Sequence, residues 1–126
     1  MTRVDVQAWL DRYVEAWRAN ERGPIEALFT DDAVYSYRPW DSDEMTRIGR
    51  DAIVTGWLDD QDEPGSWEAH YEPYAVEGDR AVAVGWSRYA PTADHPERTF
   101  HNAYLLRFAS DGRCASFHEF YMEEGK

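Results

Sequence analysis

Glu119 stands between Phe117 and Tyr121 in a run whose period predicts a β-strand, so the three side chains share one face. A carboxylate among aromatic rings loses hydration, its pKa rises, and it gains the capacity to act as a general base or acid near neutral pH. One strand-like run earlier, Phe100, Asn102, Tyr104, Leu106 and Phe108 share a face by the same period, and the Asn102 amide can orient a water or a carbonyl. Tyr13, Tyr37 and Tyr104 add phenols that can donate to a developing oxyanion. The chemistry implied is proton transfer on a small organic molecule, with Glu119, Asn102 and Tyr13 as catalytic candidates. A structural role stays open for each. Buried acids usually have partners, so Glu119 could pair with Arg98 or Arg107, and the Asn102 amide could bond to nearby backbone.

The candidate ligand contacts are aromatic: Tyr37, Trp57, Trp86, Tyr104, Phe117 and Tyr121, with Trp40 and Tyr89 as further wall or mouth residues. Six tryptophans in so short a chain suit a flat hydrophobic ligand, and suit ordinary core packing as well. His70, His95, His101 and His118 lie on separate segments without paired ligand spacing, so no metal is expected. His101 and His118 have the parity opposite to Asn102 and Glu119, which places them on the other side of the sheet. Serine-nucleophile signatures, a phosphate loop and a dinucleotide fingerprint are absent from the sequence, and no cofactor is implied.

The elements that must position these groups follow from period and punctuation. Thr2 and Asp5 form a capping-box signal, and Val6, Leu10, Tyr13 and Trp17 recur at helical spacing, predicting a helix from about Val4 to Asn20. Gly23 and Pro24 are expected to end it and to open a short helix with Ile25, Leu28 and Phe29 inward. Asp31 and Asp32 then lead into a strand at Ala33 to Tyr37, followed by an acidic loop over 41–47. Gly49 precedes a third helix carrying Ile53, Val54, Trp57 and Leu58, which ends in a polar loop from Asp59 to Ser66. Beyond it the period drops to two, and Trp67 to Val76, Ala81 to Ala90, Arg98 to Phe108 and Cys114 to Met122 read as four strands. The expectation is one α+β domain over residues 1–126, with helices on one face of a mostly antiparallel sheet. Apolar groups on the other face predict a homodimer through the sheet.

Composition excludes several classes of partner. A formal charge of −12, with basic residues scattered singly, argues against nucleic acid. The acidic runs Asp41 to Glu44 and Asp59 to Glu63 lack a glycine-punctuated calcium loop and read as solvated loops. No apolar run is long enough to span a membrane, and the N-terminus lacks the regions of a signal peptide, so neither membrane association nor secretion is expected. Cys114 is the sole cysteine, can form no internal disulfide, and is expected to pack in its strand. The setting expected is cytoplasmic.

The segments RYVEAW, IEALFTDDAVYSY, IGRDAIVTGW and HNAYLLRFASDGR, with the closing HEFY, resemble the nuclear transport factor 2-like superfamily, specifically its SnoaL-like branch, over nearly the whole chain. The resemblance implies a strongly curved sheet and three helices forming a cone around a deep, largely apolar pocket, with dimerisation through the sheet. Its members include ketosteroid isomerases, polyketide cyclases, epoxide hydrolases, dehydratases and non-catalytic binding domains, so it does not select one reaction. By similarity to ketosteroid isomerase, Tyr13 matches an oxyanion-binding tyrosine, whereas the two catalytic aspartates of that enzyme fall on Tyr37 and Tyr104. A phenol with a pKa near 10 is a poor base at neutral pH, which disfavours steroid-type isomerisation. No Asp-Arg-Asp arrangement like that of the epoxide hydrolases is evident. The implied function is binding of a small hydrophobic molecule, either with cofactor-free isomerisation, cyclisation, dehydration or hydrolysis, or as a non-catalytic binding or interaction module.

Overall fold

The computed structural model describes residues 1–38 and 46–126; Trp40 and the acidic run 41–44 lie outside the described residues. Helix α1 spans Arg3–Ala19 and α2 Arg22–Glu26, strand β1 Phe29–Tyr37 and β2 Thr46–Ile48, and helix α3 Arg50–Asp59. Strands β3 (Trp67–Glu77), β4 (Arg80–Tyr89), β5 (Arg98–Phe108) and β6 (Cys114–Glu123) follow. They form a curved six-stranded sheet in the order β2-β1-β6-β5-β4-β3, antiparallel except for the parallel pair β1–β6. Helices α1 and α3 pack on it, α1 against β3 and α3 against β1. This is the α+β arrangement expected from the order of periods along the chain.

The start of α1 is fixed by the capping box: the Asp5 amide donates to Thr2 Oγ1 at 3.1 Å, and Thr2 N–H donates back to the Asp5 carboxylate at 2.9 Å. The helix ends where expected, but not on the expected residues. Asn20 takes the left-handed conformation and its N–H caps Ala16, so the helix stops before Gly23 and Pro24, which both fall inside α2. Pro24 is tolerated there because first-turn amides need no intrahelical acceptor. Strand β1 begins at Phe29, four residues earlier than predicted, because a register shift between Phe29 and Val34 lets the exposed Asp31-Asp32 pair stay within the strand. Strand β2 was not foreseen: the segment Thr46-Arg47-Ile48, assigned to a loop, returns antiparallel along β1. Three residues are too few for a readable period.

The core centres on Trp9, fully buried, whose indole N–H donates to the Leu28 carbonyl and whose ring meets Tyr13, Phe29, Phe108 and Phe117. Full burial of such a side chain contributes on the order of 3 kcal/mol. Parity along β5 and β6 is as expected for Asn102, Tyr104, Phe117 and Glu119, which share the helix-covered face, whereas Cys114, four residues before His118 and so expected by period on the far face with it, turns inward. Ala115 is an extra residue where Phe108 pairs with Cys114 and Arg107 with Ser116, and this bulge turns Cys114 into the core. Its thiol is free and pushed up to about 12 by burial. The opposite face exposes Leu105, Phe120 and Met122. No described helix is long and apolar enough to cross a membrane.

Candidate functional site

Pairing of β5 with β6 sets Tyr104 opposite Glu119 and Asn102 opposite Tyr121, so these four side chains form one patch on the covered face. Parallel pairing of β1 with β6 brings Tyr37 beside Glu119. The α1 residues Tyr13 and Trp17 and the α3 residue Trp57 stand over this patch, forming an open-mouthed cavity of about 470 Å³. That volume lies within the usual range for small-molecule sites. Gly85 makes room on β4: it pairs between Tyr71 and Asn102, and a side chain there would strike the His70 carbonyl and the Tyr71 ring.

Burial pushes the Glu119 carboxyl up to about 7, and desolvation is the whole cause. The anticipated arginine partner is absent. Arg98 instead binds Glu123 at 2.8 Å, and among the described residues no side-chain hydrogen bond or ion pair reaches the Glu119 carboxyl. A carboxyl of this kind exchanges its proton near neutral pH.

Around it runs a set of phenols. Tyr13 and Tyr35 share a hydrogen bond at 3.2 Å, and Tyr35 also meets Tyr37, while Tyr71 bonds to Tyr104 and to Ser87. Burial raises the pKa of Tyr13, Tyr35 and Tyr104 well above the usual 10, and that of Tyr37 and Tyr71 to about 12, so all stay protonated as donors. Asn102 is 8% exposed, and its Nδ2 lies 3.5 Å from the hydroxyls of Tyr71 and Tyr104. Its Oδ1 has no donor among the described residues.

The structure thus brings Glu119, Asn102, Tyr13, Tyr37, Trp57, Tyr104 and Tyr121 to one cavity, together with Tyr89. It separates two of the expected contacts. Trp86 pairs with His70 and His101, so its strand position points to the opposite face of the sheet, where Arg88 stacks on its ring. Phe117 has the expected parity but lies beneath the floor, fully buried and stacked on Tyr35 at 4.4 Å. His118 is on the far face, bonded through Nδ1 to Ser36 Oγ, and His101 meets Glu124 there.

The lining also departs from the largely apolar pocket expected. Half of the lining residues are aromatic, but Asn20, Asp60, Gln61 and Asp62 contribute to it from the ends of α1 and α3, and Glu123 from β6. The run Asp59 to Glu63, read as a solvated loop, therefore supplies cavity walls. Asp62 accepts from the Trp17 indole N–H at 2.8 Å, and partial burial raises its pKa. Tyr35 and Tyr71 were also missed. The parity that selects Tyr37 selects Tyr35 as well, whereas nothing in the sequence marks Asn20, Asp60 or Asp62. Among the described residues, no group of His, Cys, Asp and Glu side chains is arranged to hold a metal ion.

Comparison with known proteins agrees with this architecture. The SnoaL-like domain family matches residues 10–117. An NTF2-like protein of unknown function from Burkholderia xenovorans LB400 superposes with a TM-score of 0.70 at 13% identity, covering 97% of this chain and 86% of that one. A second, from Burkholderia pseudomallei K96243, gives 0.69 at 16% identity with 97% and 92% covered. A third, from Mesorhizobium loti, gives 0.63 at 20% identity with 95% and 93% covered. No curated protein matches in sequence. At these identities the solved structures bear on the fold alone.

Proposed function

The chain belongs to the SnoaL-like domain family, and from that premise we propose that its cavity binds a small organic molecule on which Glu119 performs acid/base catalysis using this chain's own groups. The observation that carries the reading is the Glu119 carboxyl itself, desolvated to about 7, facing the same cavity as Asn102 and without a cationic partner among the described residues. A general acid or base works best with a pKa near the working pH. Asn102 orients the reacting group, and the protonated phenols of Tyr104 and Tyr13 stabilise charge that develops on oxygen. Isomerisation, cyclisation, dehydration and hydrolysis all fit this arrangement. A cytoplasmic setting fits the buried free thiol of Cys114, and a second copy of the chain covers the apolar outer face bearing Leu105, Phe120 and Met122.

A second reading keeps the cavity and drops the turnover. The Tyr13 and Tyr35 hydroxyls already bond to each other, which occupies part of the donor set an oxyanion would need. Ring opening of 5-nitrobenzisoxazole separates the two. A base removes the C–H proton, the freed electron pair completes a nitrile, and the N–O bond breaks to leave a coloured phenoxide. The catalytic reading predicts saturable turnover that rises with pH to a plateau above about 7 and falls at least about 100-fold in Glu119→Gln. Equal rates for wild type and variant, or a wild-type rate no better than a free carboxylate, would leave only the binding reading.

A further inference from the structure

The unpaired polar atoms around the cavity are acceptors. Asn20 directs its Nδ2 to the Asp62 backbone carbonyl at 3.5 Å, and a carbonyl can only accept, so this contact fixes the amide and leaves buried Oδ1 without a donor. Asn102, 8% exposed, leaves one end of its amide unpaired, because its other end faces the Tyr71 and Tyr104 hydroxyls at 3.5 Å, which can donate or accept. Glu119 adds a carboxyl that no described side chain donates to. Both amide oxygens are shielded from water, so they set the polarity of the wall, and a ligand N–H reaches them only when the side chain turns.

Charge points the same way. Asp60, Asp62 and Glu123 line the cavity with Glu119, which is about half charged near neutral pH, against Arg98, which Glu123 already holds, and Arg47, which lies against Gly56. The seven residues outside the description, PWDSDEM, contain three acids and no Lys, Arg or His, so they supply no neutralising cation. Two helix C-termini also end at the mouth: Trp17 and Asn20 come from the end of α1, and Trp57, Asp60 and Asp62 from the end of α3. Each helix presents the negative end of its dipole there. The Trp17 indole meets Asp62, with one face stacked on Trp67, and Trp57 and Tyr89 line the same cavity; aromatic faces attract cations more strongly than neutral groups of the same shape.

Resting on the reading of this cavity as a ligand site, we infer that its ligand is an organic cation, a primary ammonium or guanidinium carried on a flat body. The charged end lies at the mouth between Asp60, Asp62 and Asn20, and the flat body lies along the tyrosine wall towards Asn102 and Glu119. This replaces the wholly hydrophobic ligand expected from the sequence with an amphipathic one. A chain of net charge −12 also draws such a molecule from solution.

Three phenols of one size that differ in charge test the assignment: tyramine (cationic), 4-propylphenol (neutral) and 3-(4-hydroxyphenyl)propanoate (anionic), titrated calorimetrically into the full chain. Tyramine is expected to bind at least about tenfold more tightly than 4-propylphenol, with the propanoate weakest, and added salt should erode the tyramine advantage. The double variant Asp60→Asn, Asp62→Asn should lose about tenfold in tyramine affinity, with its unfolding curve confirming a folded protein; the amide introduced at position 62 can still accept from the Trp17 indole. If 4-propylphenol matches tyramine, or the double variant binds tyramine unchanged, the cation assignment fails while the cavity remains a ligand site. If none of the three binds, the ligand-site reading fails with it.

Discussion

Replacing Glu119 with Gln should stabilise the protein, and by an amount that grows with pH. Burial raises the carboxyl from 4.5 in the unfolded chain to about 7 in the fold, so the folded state disfavours the charged form. Between the two values the unfolded chain is already charged while the native carboxyl keeps its proton, and above the folded value the native state carries the charge at the full desolvation cost. Stability is therefore lost as pH climbs from 4.5 through 7, and it is fully present below the unfolded value. At about 1.36 kcal/mol per pKa unit the destabilisation is about 1 kcal/mol at pH 5 and about 3 kcal/mol at pH 7 and above. Glutamine keeps the shape and carries no charge at any of these pH values, so the stability difference between variant and wild type isolates Glu119 from the other carboxylates. Urea unfolding of both proteins at pH 5, 7 and 8 should show that difference widening by about 2 kcal/mol in favour of the variant. At neutral pH the same effect corresponds to a Tm higher by roughly 10 °C. A difference that stays flat with pH, or one that moves towards the wild type as pH rises, would refute the reasoning.

The geometry of β4 predicts that Gly85→Ala costs about 2 kcal/mol or more, because the added methyl meets the His70 carbonyl and the Tyr71 ring, a loss readable in urea denaturation. Retention of wild-type stability would mean that the β3 backbone at His70 and Tyr71 shifts without cost, and would refute the prediction. For the outer face, sedimentation should find a dimer in the wild type and a folded monomer in Leu105→Glu, since a carboxylate cannot be buried there unpaired. A monomeric wild type at micromolar concentration, or an intact dimer in the variant, would refute the pairing of sheets.

What could be read in the sequence was whatever depended on local period. The Thr2–Asp5 box fixed the start of α1, and alternation in β5 and β6 placed Asn102, Tyr104 and Glu119 on one face and His101 and His118 on the other. Period also carried the α+β class, which requires only the order of helices and strands. It failed wherever one residue changed parity or a contact was non-local. The bulge at Ala115 turned Cys114 inward, and β2 forms only because the chain returns to β1. Trp86 was assigned to the cavity by residue type, although its parity, shared with His101 across the pair, places it on the far face. Asn20, Asp60 and Asp62 reach the cavity because two helix ends converge there, which no spacing in the chain encodes.

The most direct test is a titration of the Glu119 side-chain carboxyl by carbon-13 NMR, assigned against Glu119→Gln. The account predicts a midpoint near 7, set by desolvation in the cavity. A midpoint near the ordinary 4.5 would mean that the carboxyl is well solvated or paired, and would contradict the site described above.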